Sequence, residues 1–90
     1  ILGMFSIKES YNYLRRAEEN SNDQIKGIIY QEMSKINLNE DYDLQLTYAD
    51  KAINYNNSNA YFFSHKGHIL YKLKNFEDTV KFYLKAIELN

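Results

Sequence analysis

The two histidines of this 90-residue chain, His65 and His68, stand three apart. That spacing places both on one side of a helix and would let them share a metal ion. There is no cysteine to join them, and no aspartate or glutamate beside them in sequence completes a ligand set. The pair reads better as two polar residues on the exposed side of a helix, or as contacts for a bound peptide. Glu40, Asp41, Asp43 and Asp50 gather enough carboxylates to suggest calcium. The twelve-residue loop with a central glycine and a closing glutamate is absent, however, and capping and solvation account for these acids. Serine, histidine and aspartate all occur, but without a strand–turn–helix elbow to activate a nucleophile. No glycine-rich phosphate loop is present. These residues point away from catalysis and call for no cofactor.

Composition narrows the classes further. Eleven basic and 12 acidic side chains leave a net charge of -1, which gives no electrostatic footprint for nucleic acid or an anionic membrane. Absence of cysteine rules out a disulfide framework and fits a cytoplasmic setting. No apolar run approaches the roughly 20 residues of a membrane-spanning helix. The opening Ile1-Leu2-Gly3-Met4-Phe5 is too short for a signal-peptide core and has no basic flank. A chain that starts at Ile1 rather than methionine suggests a segment of something longer. Proline is absent and glycine occurs only at Gly3, Gly27 and Gly67, so little interrupts helix formation.

Five amphipathic segments carry these residues, each with apolar side chains at helical spacing. The first runs from about Phe5 to Asn20, with Ile7, Tyr11, Leu14 and Ala17 on one face. Ser21 and Gln24 have the form of a capping box that opens the second, whose apolar face is Ile25, Ile28, Ile29, Met33 and Ile36. Asp41 is a good cap for a third helix from Tyr42 to about Tyr55, bearing Leu46, Ala49, Ala52 and Ile53. Ser58 or Asn57 is expected to cap the fourth, from about Asn59 to Leu73, with Phe62, Phe63, Ile69 and Leu70. Lys74-Asn75 is a tight turn, with Asn75 capping a fifth helix that uses Phe76, Val80, Tyr83, Ala86, Ile87 and Leu89. No segment alternates with period two over a useful length, so a sheet is not expected.

The segments repeat. Ala52 and Ala86 lie 34 residues apart, and at the same offset Tyr42 pairs with Phe76, Leu46 with Val80, Ile29 with Phe63, Ile36 with Leu70 and Asn56 with Asn90. Lys51-Ala52-Ile53 recurs as Lys85-Ala86-Ile87. A helix–turn–helix period near 34 is the signature of tetratricopeptide repeats. The last repeat resembles that family through Phe63, Gly67 and Leu70, then Phe76, Thr79, Tyr83 and Ala86. The preceding one is looser, with Ile29, Met33 and Ile36, then Tyr42, Gln45, Ala49 and Ala52. The first helix resembles the second half of an earlier repeat, and Asn57 stands where the family has proline. Met33 replaces the small Gly67 while Ala49 replaces the large Tyr83, an exchange that conserves packed volume. The divisions implied are a half repeat over 5–22 and repeats over 23–57 and 58–90.

The resemblance implies an all-α, right-handed α-solenoid of antiparallel helix pairs and a non-enzymatic module that binds another protein or peptide. In that family the first helix of each repeat lines the concave groove. Carried over, the groove comprises Gly27, Tyr30, Gln31, Ser34 and Asn37, then Tyr61, Ser64, His65, His68, Tyr71 and Lys72. Its aromatic, neutral-polar character suits aromatic anchoring and backbone hydrogen bonding of a peptide. Members that grip a terminal carboxylate use Lys, Asn and Arg at positions that here hold Tyr30, Ser34 and His65. The alternative function is the peptide-sensing domain of a bacterial transcriptional regulator, with its DNA-binding part outside this chain. A third is a repeat domain appended to an enzyme. Because the end helices lack partners, self-association or further repeats are expected to cover them.

Overall fold

A computed structural model describes residues 7–19, 22–36 and 41–90; the side chains of Ile7, Tyr11 and Gln24 lie outside the description. These residues form five helices and no strand: α1 Ile7–Glu19, α2 Asp23–Ser34, α3 Tyr42–Tyr55, α4 Ala60–Lys72 and α5 Phe76–Leu89. Each helix packs on the next in sequence, most extensively α2 on α3 and α4 on α5. No described helix is long and apolar enough to cross a membrane.

Side-chain caps set the helix starts, because each satisfies N–H groups that the first turn leaves free. Asp41 Oδ1 accepts from Leu44 N at 2.9 Å, and Asn75 Oδ1 from Asp78 N at 3.3 Å. Two other starts differ from the sequence reading. Asn22 rather than Ser21 caps α2, its Oδ1 accepting from Ile25 N at 3.0 Å; Ser21 and the Gln24 side chain lie outside the described residues. Asn59 caps α4 through Tyr61 N at 2.9 Å and Phe62 N. Ser58 instead closes a turn by donating its N–H to Asn56 Oδ1 at 3.1 Å, so neither it nor Asn57 takes that role. Local chemistry offered several oxygens within two residues, and chain direction selected among them.

The turn after α4 is a Schellman arrangement. Asn75 N donates to Leu70 O and Lys74 N to Tyr71 O, both at 2.9 Å. It needs a left-handed residue, a place usually taken by glycine, and Lys74 takes it with φ 63°.

The core cluster is Ile29, Tyr30 and Met33 from α2, Ala52 from α3 and Phe62 from α4, with Leu14, Ala17, Leu44, Tyr48 and Ile53 packed against it. Ile25 and Ile28, expected on the same face, are exposed. Ala49 and Ala52 are fully buried. A Cβ on Gly67 would lie 2.8 Å from Tyr83 Cδ1, so the missing side chain makes room for that ring; at the equivalent places Met33 and Ala49 are both buried. The helices keep the 34-residue offset too: α3 and α5 are each 14 residues long and start at Tyr42 and Phe76.

Candidate functional site

The residues predicted to form a groove come from α2 and α4, and the structure gives the two helices different surfaces. On α2, Tyr30, Gln31 and Ser34 are buried, at 7%, 3% and 0% exposure. Ser34 Oγ donates to Gln31 O at 2.7 Å, and the Gln45 amide donates to Ser34 O at 2.7 Å, which ties α3 to the end of α2. These three positions support the face from beneath and do not form its accessible surface. Gly27 is buried as well, in the floor of an open depression of about 460 Å³ with Ile28, Tyr55, Asn56, Asn59 and Phe62. Asn37 lies outside the described residues.

Tyr30 belongs to an aromatic cluster between α2 and α3. Its ring stacks on Tyr48 and Tyr55 at centroid distances of 5.9 and 5.5 Å. The Lys51 ammonium lies 5.4 Å from the Tyr30 centroid and 5.2 Å from that of Tyr48, within cation–π range. Burial, reinforced by the Glu18 carboxylate that accepts from its hydroxyl, pushes the Tyr30 phenol up to about 12.

On α4 the accessible groups lie along one side. Tyr61 and Tyr71 are 52% and 55% exposed, His68 and Lys72 are exposed, and Ser64 and His65 are half-buried. Tyr61 stacks on His65 at 6.3 Å and lies under the Lys35 ammonium, 5.5 Å from its centroid. Lys35 is held in turn by Glu32 at 2.7 Å; that contact first, and Tyr61 second, raises its pKa above the ordinary value. Lys72 lies 5.9 Å from the Tyr42 ring centroid, and Tyr71 meets Phe76 edge-on at 5.6 Å. Tyr61 and Ser64 also border a second depression of about 310 Å³ with Ala60, Ala86, Ile87 and Asn90.

Beneath this strip, His65 faces the backbone carbonyl of Ser34. Burial foremost, with His68 and Lys35 adding, lowers its pKa below the ordinary 6.5 against the opposing pull of Ser34 and Glu32. Its Nε2, both polar atoms of the Gln31 carboxamide, and Gln45 Oε1 are buried with no hydrogen-bond partner. Gln31 and His65 are themselves 34 residues apart, so the unpaired groups recur at the same place on successive first helices.

Among the described residues, no three His, Cys, Asp or Glu side chains converge to hold a metal. Asp41 is engaged as a cap and Asp50 in an ion pair with Lys66; Glu40 lies outside the description. Sequence reasoning missed Lys35 and Gln45. Lys35 resembles any solvated lysine in sequence and gains its role only when Tyr61 arrives from α4. Gln45 carried a weak signal, a polar residue between Tyr42 and Ala49 on an otherwise apolar face.

The sequence matches no protein-family model, and comparison with characterised proteins finds no significant relative.

Proposed function

We propose that the chain is a non-catalytic, tetratricopeptide-type interaction module that binds an extended peptide or protein segment along α4. The observation that carries this reading is the strip Tyr61, His65, His68, Tyr71 and Lys72, bordered by Lys35. It joins flat aromatic surface to hydrogen-bonding groups on a helix whose opposite side is packed, so little order has to be imposed on binding. The 34-residue helix offset and the Gly67–Tyr83 fit support the repeat reading.

The test is selection of binders from a random peptide library, followed by titration of the best against Tyr61→Ala and His68→Ala. Loss of a central aromatic anchor costs about 2 kcal/mol or more when it is a hot spot, so Tyr61→Ala should weaken binding roughly 30-fold. Unchanged affinity in both variants would remove this face from consideration. Tyr30→Ala is a poor probe of binding, because Tyr30 is buried in the core.

A further inference from the structure

Charge is distributed unevenly along the chain. None of its 12 acidic residues lies between Asp50 and Glu77, a stretch that carries Lys51, Lys66, Lys72 and Lys74 together with both histidines. Of the five described helices, α4 alone contains no acid. A chain of net charge -1 therefore concentrates basic residues on the helix that bears the strip from Tyr61 to Lys72.

The structure separates the cations that are neutralised from those that are not. Lys66 pairs with Asp50 and lies 4.3 Å from the centroid of the Phe82 ring, so it is committed to helix packing. On α5, Lys81 has Glu77 at 3.9 Å and Asp78 at 3.7 Å, and Lys85 has Glu88 at 3.5 Å. Lys35, at the Tyr61 end of the strip, has Glu32 at 2.7 Å. Lys72 differs. The Tyr42 ring, 5.9 Å from its ammonium, steadies the charge without cancelling it. Among the described residues, no carboxylate lies within ion-pair distance of Lys72. His68 precedes it by four residues, and both are exposed. That spacing makes them neighbours on the helix surface, where an ammonium and an imidazole N–H can grip one carboxylate. The strip thus has two unlike ends: a flat ring beside a neutralised lysine at Tyr61, and an open positive charge at Lys72.

Resting on the reading of α4 as a peptide-binding face, we propose that its ligand is an acidic extended segment. An internal Asp or Glu side chain of that segment is held by His68 and Lys72, and an uncharged, flat side chain lies against Tyr61. Tyr61 and Lys72 stand eleven residues apart, roughly 16 Å along the helix axis, which extended chain spans in about five residues. The acid is read within the segment and not at its end. The positions at which the resembled family grips a terminal carboxylate hold Tyr30, Ser34 and His65, and the first two are buried. A nucleic-acid strand would need a row of open cations to follow its phosphates, and Lys35 and Lys66 are already engaged by Glu32 and Asp50.

The probe is a random decapeptide library displayed with its C-terminus fused, so that no terminal carboxylate is present. Selection on the intact chain should enrich Asp or Glu at one position and an aromatic residue about five residues away. The same selection on Lys72→Glu should lose the acid and enrich Lys or Arg in its place. The leading parent peptide, synthesised with blocked termini, should bind Lys72→Gln about 10-fold more weakly. Lys72→Arg should restore binding, and Lys81→Gln should leave it unchanged. Parent binders without an acidic preference that still lose affinity in Tyr61→Ala would overturn the proposal and leave the strip a peptide-binding face; an absence of binders would overturn both. Competition by octathymidylate at the same concentration as the peptide would overturn it in favour of a nucleic acid. Self-association of the chain that Lys72→Glu abolishes would overturn it in favour of a second copy.

Discussion

Helices α3 and α5 have the same length, the same kind of N-terminal cap and the same Lys-Ala-Ile run, yet one is the centre of the molecule and the other its edge. α3 has α2 on one side and α4 on another, and its two alanines, Ala49 and Ala52, are sealed. Among the described residues α5 packs chiefly on α4, burying Thr79 and Ala86, and four of its large apolar residues remain more than half exposed. The aromatic residues differ accordingly. Lys51 sits over two tyrosine rings, while Lys85, its counterpart, pairs with Glu88 at 3.5 Å. Equivalent sequence positions thus acquire different energies from the number of neighbours alone, and paired substitutions should expose the difference.

The largest contrast is expected between Tyr30 and its counterpart Ser64. Tyr30→Ala removes a buried ring from the core cluster and should cost about 3–5 kcal/mol. Ser64→Ala, on a half-buried residue whose hydroxyl donates in an exposed bond to Tyr61 O of its own helix, should stay within about 0.5 kcal/mol. Urea titrations of both variants measure this, and similar midpoints would mean that the two halves are packed alike.

A smaller contrast separates the alanines. Ala52 is 0% exposed between three helices, so Ala52→Leu should destabilise by about 1–3 kcal/mol through overpacking. Ala86 borders the open depression at the end of α5, where the added side chain has room, so Ala86→Leu should cost about 0.5 kcal/mol or less. Equal melting shifts would place a cover over α5.

The ends of the first helices differ as well. Lys74, the residue past the cap of α4, holds a positive φ, whereas Ile36, the residue past the cap of α2, does not. Lys74→Gly relieves that strain and should stabilise by about 0.5–1 kcal/mol; a lower melting temperature would mean that the lysine side chain contributes more than its backbone costs. The corresponding change at Ile36 should not stabilise.

The smallest effect is a slope with pH at the α2–α4 junction. His65 is depressed below 6.5 by burial, so the unfolded chain binds its proton more readily than the folded one. The stability that follows is intact above pH 6.5 and declines as pH falls through the depressed folded value. Melting temperature between about pH 7.5 and 5 should therefore fall less steeply in His65→Gln than in the parent chain, and matching slopes would show that His65 does not contribute.

Much of this architecture is local and was legible in the sequence. Helix periodicity, the caps Asp41 and Asn75 and the 34-residue repetition depend on interactions within one or two turns, or on direct comparison of residues. The exchange of Met33 and Ala49 for Gly67 and Tyr83 was readable too, because volume is a property of residue type. Which groups are accessible was not. Tyr30 and Ser34 share register positions with Ser64 and His68, and Gln31 with His65, yet only the α4 residues form an open strip. Phe76, Val80 and Ile87 repeat the helical positions of Tyr42, Leu46 and Ile53 and stay exposed. Periodicity assigns a face to a helix, but burial requires another surface opposite that face, and only tertiary packing supplies it: α4 covers α3, and no described element covers the outer side of α5.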